Sequence, residues 1–199
     1  MSTGRVVLAV TGASGAIYAQ RLARHLAEGF QDVYLMLSTQ AVDVAMTELG
    51  CTLNRKEFDT TSWLGKQYDN IQLLDEKNFY TPPASGSFRH DGMVICPCSM
   101  GTAGRIANGI SNDLVTRSAD VCLKERRPLI LVPREMPWNV IHLRNMTTLA
   151  EAGAVVLPAS PAWYQNPKSL EDLADTVVAR ILQQLGVDQK LAPQWMVED

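Results

Sequence analysis

Two glycine-containing turns and one charged pair hold the side chains best suited to chemistry. Gly12-Ala13-Ser14-Gly15 follows the apolar run Arg5–Val10 and precedes residues with helical spacing. That order collects backbone N–H groups and a hydroxyl at a helix start, where unpaired donors and the helix dipole favour a phosphate. Ser99-Met100-Gly101-Thr102 repeats the arrangement after Met93–Cys96, and two such turns suit two anionic groups. The charged pair is Arg134-Glu135, set behind Leu129–Val132 and Pro133. A β-branched, leucine-rich run without alternation suits a parallel strand covered on both faces. Proline denies that strand another ladder hydrogen bond. The cation and the carboxylate then lie just past the strand's carboxyl end, where open α/β sheets bind ligands. On an exposed loop the same pair would be an ordinary ion pair worth little, and the residues alone leave both readings open.

The first turn lacks the Gly-Lys-Ser/Thr ending of a P-loop and the third glycine of the dinucleotide fingerprint. The second strand, Val33–Leu37, ends in Ser38 and not in the acid that would take a ribose hydroxyl. NAD is disfavoured; a mononucleotide such as FMN remains, as does a packing role for the glycines. Arg117 and Lys124, seven apart on one predicted helix, share a face and could address one site or a subunit rim. Glu48 is a carboxylate late on an otherwise apolar second helix. His25, His90 and His142 have no nucleophile or metal spacing. Cys96-Pro97-Cys98 misses the spacing of a zinc knuckle, and no second Cys/His pair answers it, so no metal is expected.

The elements that must position these groups alternate strand and helix, which implies a mainly parallel sheet in a single α/β domain over residues 1–199. Helices are predicted at Ile17–Leu26, Ala41–Leu49, Asp113–Glu125, Val140–Ala152 and Leu170–Leu185, and a late strand at Ala154–Leu157. Val42, Ala45, Met46 and Leu49 should form one apolar face. Ser169 and Asp172 make a start signal and Gly186 a stop. The pattern weakens between Cys51 and Arg89, which reads as irregular with short elements. The proline-containing tail beyond Val187 is expected to pack loosely or on a neighbour.

At 199 residues, 46% hydrophobic and 20% charged, the chain suits one ordinary globular core. A net charge of −3 argues against nucleic acid as a partner. No apolar run approaches the roughly 20 residues that cross a bilayer. Four cysteines without a secretory signal suit free thiols in the cytoplasm.

Taken together, Gly12-Ala-Ser-Gly-Ala16, Pro83-Ala-Ser-Gly-Ser87, Cys96-Pro-Cys-Ser99, Ala119-Asp-Val121, Leu123-Lys-Glu-Arg-Arg-Pro-Leu129 and Val132-Pro-Arg-Glu135 resemble the UbiX-type flavin prenyltransferases over nearly the whole chain. The resemblance implies a three-layer, Rossmann-like (flavodoxin-like) fold and transfer of a dimethylallyl group from dimethylallyl monophosphate to N5 and C6 of reduced FMN, without metal. The product would be the prenylated-FMN cofactor of a UbiD-type decarboxylase, in ubiquinone biosynthesis or aromatic-acid breakdown. It gives FMN to Gly12, Ala13, Ser14, Ser38, Ser99, Met100, Gly101, Thr102 and Arg134. The prenyl phosphate goes to Ser85, Arg117, Lys124, Glu135, Tyr164 and Arg180. Glu135, Glu48, Lys124 and Ser14 would be the catalytic groups, with Glu135 relaying a proton. Phe79 and Tyr80 stand where some relatives carry a tryptophan in the prenyl pocket. A homo-dodecamer with sites at subunit contacts is implied as well. Competing readings are an FMN-dependent cysteine decarboxylase and a non-catalytic FMN carrier.

Overall fold

Apolar runs with no polar alternation become the strands at the centre of this computed structural model, which describes residues 4–191. β1 (Arg5–Val10), β2 (Asp32–Leu37), β3 (Ile71–Leu74), β4 (Gly92–Cys98), β5 (Leu129–Pro133) and β6 (Val155–Val156) form one sheet. Their order is β3-β2-β1-β4-β5-β6, and every pairing is parallel. This is the doubly wound Rossmann order, and the chain reverses direction across the sheet between β1 and β4.

The helices are α1 (Ala16–Gly29), α2 (Thr39–Leu49), α3 (Thr60–Leu64), α4 (Met100–Ala107), α5 (Leu114–Lys124), α6 (Val140–Glu151) and α7 (Leu170–Gln184). The period of two along each strand decides which side chains meet which helices. Val6, Leu8, Val33, Leu35, Val94, Ile130 and Val132 pack with α1, α2, α3 and α7. Val7, Ala9, Met36, Met93, Ile95, Leu129 and Leu131 pack with α4, α5 and α6. Two cores thus flank the sheet, which is why its central strands carry no polar face.

The main departures from expectation fall where local signals are weak. The stretch between Cys51 and Arg89 yields α3, the edge strand β3 and a 3-10 turn at Pro82–Ala84. β3 has only four residues, too few for a period to declare itself. α1 runs longer than Ile17–Leu26 at both ends, and the strand expected over Ala154–Leu157 shrinks to two residues. Met46 leaves the apolar face assigned to it: Ala41, Val42 and Ala45 are buried, while Met46 stays 42% exposed at the edge of the stripe. Residues 192–199 of the expected tail lie outside the described residues.

Candidate functional site

The crevice forms where β1 and β4 part. Thr11, just past β1, donates its hydroxyl to the Pro97 carbonyl (3.0 Å) and accepts the Ser99 N–H (2.7 Å). One side chain therefore ties the ends of the two switch-point strands together. A cavity of about 650 Å³ opens above them, lined by Thr11, Gly12, Ser38, Thr39, Gln40, Ser99, Gly101, Thr102 and Arg105, among others. Ser38 caps α2 by accepting the Ala41 N–H (3.1 Å), and Ser99 caps α4 by accepting the Thr102 N–H (3.3 Å). Both expected hydroxyls thus stand at helix starts around one space.

This site suits a mononucleotide phosphate. Its volume falls in the usual range for a cofactor cleft, about 300–1,000 Å³. A Cβ built on Gly101 would meet nothing within 4 Å, so the glycine leaves the first turn of α4 open to a ligand's approach. Arg105 supplies a cation on the wall: it donates to Asn112 Oδ1 (2.8 Å), to Thr102 Oγ1 (3.2 Å) and to Asp113. Burial works to raise the Asp113 carboxyl, but hydrogen bonds from the Thr116 N–H and from Arg105 hold it below the usual range. Sequence reasoning gave neither Arg105 nor Asp113 an individual role at the site. Their signal was the Asp113–Thr116 capping box, with an arginine eight residues before it.

The first glycine turn behaves differently from the reading of two vacant phosphate seats. Glu48, reaching over from α2, accepts the N–H groups of Gly15 (2.9 Å) and Ala16 (2.7 Å). The start of α1 therefore already has its anion. Burial pushes the Glu48 carboxyl up, but bonds from Ser14, Ala16 and Gly15 and the charge of Arg134 outweigh it and hold the group ionised. Gly15 sits at φ 109°, a conformation glycine adopts without strain. Gly12 answers to packing, since a Cβ there would collide with Gln40. Ala13 is buried, its N–H bonded back to Thr11 O (2.8 Å), and Met100 is buried as the first residue of α4.

Arg134 and Glu135 do lie just past β5. Arg134 donates from Nε to the Ser14 carbonyl (3.1 Å), joining the first turn to β5. Glu135 is exposed, with Oε1 accepting the Met136 N–H (3.2 Å). Gly12, Ser14, Glu48 and Arg134 are thus brought together beside the cavity.

The residues expected at the prenyl phosphate are dispersed in one chain. Ser85 and Lys124 gather near the amino edge of the sheet, where α5 ends before β5, and Arg117 donates to the Ala84 carbonyl (3.1 Å) one turn into α5. Eleven residues of α5 put roughly 15 Å between Lys124 and the cavity end of that helix. Arg180 lies on the exposed face of α7, in the opposite layer, and donates to Gln183 Oε1 (2.5 Å). Tyr164 is 73% exposed in the turn Trp163–Gln165 that precedes α7. Phe79 and the fully exposed Tyr80 do not line the cavity. Cys96 and Cys98 pack into opposite cores, and burial raises the Cys98 thiol to about 12 and the Cys96 thiol further.

The family model for Flavoprotein matches residues 1–182. A flavin prenyltransferase UbiX of Pseudomonas aeruginosa is 47% identical over 195 residues, covering 96% of this chain and 93% of that protein. The crystal structure of AnUbiX (PadA1) in complex with FMN and dimethylallyl pyrophosphate superposes with a TM-score of 0.86 at 36% identity, over 99% of this chain and 100% of that one. A dodecameric FMN-dependent UbiX-like decarboxylase from Escherichia coli gives 0.84 at 35% identity, over 97% and 100%.

Proposed function

The chain belongs to the Flavoprotein family, alongside UbiX flavin prenyltransferases, and from that premise we propose that it transfers a dimethylallyl group from dimethylallyl monophosphate to N5 and C6 of reduced FMN. The observation that carries this reading is the switch-point cavity, with capping hydroxyls at two helix starts and an open glycine in the first turn of α4. Ser38, Ser99, Thr102 and the first turn of α4 hold the FMN phosphate, and Arg134, braced on Ser14, meets the remainder of the flavin. When bound, reduced FMN supplies the attacking atoms and a π surface for the allyl group.

Ionising an allylic phosphate needs cations and hydrogen-bond donors on the departing group. Lys124, Arg180, Tyr164 and Ser85 serve that need, with Arg117 beside them. Glu135 relays the proton given up at flavin N5 or C6 to the leaving phosphate. Ser14 and Glu48 complete the polar wall next to Arg134. Lys124 and Arg180 lie in opposite layers of one chain, so a single phosphate meets both only between copies. Met136, Val140 and Ile141, exposed next to Glu135, give a second copy an apolar surface to cover. That surface suits a homo-oligomer, and the dodecameric UbiX-like neighbour supports a dodecamer; we further propose a UbiD-type decarboxylase as recipient of the product. No described helix is long and apolar enough to cross a membrane, and cysteines outside any disulfide suit the reducing cytoplasm.

A cysteine decarboxylase would want a histidine at the flavin, and none of His25, His90 and His142 lines the cavity. A mere carrier has no use for a second anion clamp. The test is release of inorganic phosphate from dimethylallyl monophosphate: it should require reduced FMN. Intact ester after prolonged incubation with the reduced, FMN-loaded protein would end this reading in favour of the carrier.

A further inference from the structure

The turn Ser85-Gly86-Ser87 is held in place by a residue so far given no role. Arg127, in the link between α5 and β5, donates from Nη1 to the Phe88 carbonyl (2.6 Å) and from Nη2 to the Gly86 carbonyl (2.5 Å). Arg117 takes the Ala84 carbonyl from the same side of the fold. Alternate carbonyls, 84, 86 and 88, are thereby pinned to α5 and its exit. Between them Ser85 and Ser87 bring their hydroxyls within 2.9 Å of each other. A Cβ on Gly86 would lie closest to Glu125 Oε1 and 2.8 Å from Lys124 Nζ, which donates to that carboxylate (2.5 Å), so the glycine lets the Lys124–Glu125 pair seat against the turn, and an incoming phosphate must draw the ammonium away from Glu125.

We propose that Arg127 is a positioning residue for the substrate phosphate: its planar fork fixes the turn so that two hydroxyls and the Lys124 ammonium present themselves to one anion. This rests on the reading that the turn receives the prenyl phosphate. The fork geometry matters because one guanidinium satisfies two carbonyls at a fixed spacing, whereas an ammonium on a flexible stem is a point donor. Without it the turn's carbonyls must find water and the hydroxyls lose their shared geometry. Binding energy is lost without any change in the groups that touch the phosphate. Arg127 is remote from the switch-point cavity, so flavin binding should not register the change.

The experiment uses the full-length, FMN-loaded protein with reduced FMN and dimethylallyl monophosphate. Arg127→Met should raise the KM for the prenyl phosphate roughly tenfold or more, with kcat and the FMN dissociation constant within roughly twofold of wild type. Arg127→Lys should fall between the two. In a Ser85→Ala, Ser87→Ala background, Arg127→Met should add no more than roughly twofold, because the two hydroxyls carried by the turn that it fixes are gone, while Lys124 remains anchored on α5. A wild-type KM in Arg127→Met, or an equal rise in the double-serine background, overturns the proposal. If Arg127→Met fails to load FMN, Arg127→Lys decides alone, and a wild-type KM there overturns it. Wild-type protein with no saturable dependence on the prenyl phosphate would instead defeat the underlying reading of the turn.

Discussion

Glu48 and Glu135 are carboxylates at the same edge of the sheet, and their surroundings assign them different work. Glu48 accepts two backbone N–H groups at the start of α1 and is held ionised there. Glu135 lies past β5 with one oxygen on a neighbouring N–H, leaving its carboxyl accessible to a ligand. Glu48→Gln removes charge from a helix start and should cost about 0.5–1 kcal/mol, the low range because the side chain is partly solvated; urea unfolding checks it. Glu135→Gln should leave the FMN dissociation constant near wild type and lower the rate of prenyl transfer by about 10²–10⁴, the span of a general acid-base group. Single-turnover measurement with reduced FMN reads this directly, and a wild-type rate removes the proton relay.

Among the elements, α5 does the most positioning. Its first turn is capped by Asp113, which also pairs with Arg105 on the cavity wall, and its last turn carries Lys124. Asp113→Ala should therefore cost about 1–2 kcal/mol, from the lost cap together with an unpaired arginine, seen as a lower urea midpoint at unchanged slope. The start of α7 was legible because its cap is local, Ser169 with Asp172. Ser38 and Ser99 were readable for the same reason, each standing between a strand and a helix, whereas the equally local Asp113–Thr116 box of α5 went unread. Glu48 at the start of α1 was not, since its partners lie more than thirty residues away and no local pattern records that contact. β3 escaped because its pairing with β2 is also long-range and its four residues carry too little pattern. Arg127 escaped because a side chain bonded to backbone carbonyls leaves no signature in residue types.

For the whole molecule, two histidines contribute to the response to mild acid. Burial pushes His90 down, and burial likewise lowers His25 despite the nearby Asp175. The fold disfavours the protonated form of both, while the unfolded chain protonates near the ordinary value of about 6.5. Their contribution is complete above that value and is lost as pH falls from it through the lower folded values. The urea midpoint should drop between pH 7.5 and 5.5, and replacing both by Gln should flatten the drop. The depressed carboxylates of Glu48 and Asp113 act only at more acidic pH. Lys124 and Arg180 are apart in one chain, so their meeting at one phosphate belongs to the assembly. Lys124→Ala and Arg180→Ala proteins, each inactive, should regain part of the activity when dissociated and reassembled together, and no recovery would place both residues on one copy. Prenyl transfer is read most directly from the mass of the flavin released after the anaerobically reduced, FMN-loaded protein meets dimethylallyl monophosphate. Prenyl transfer gives a flavin heavier by one isoprene unit; flavin of unchanged mass contradicts it.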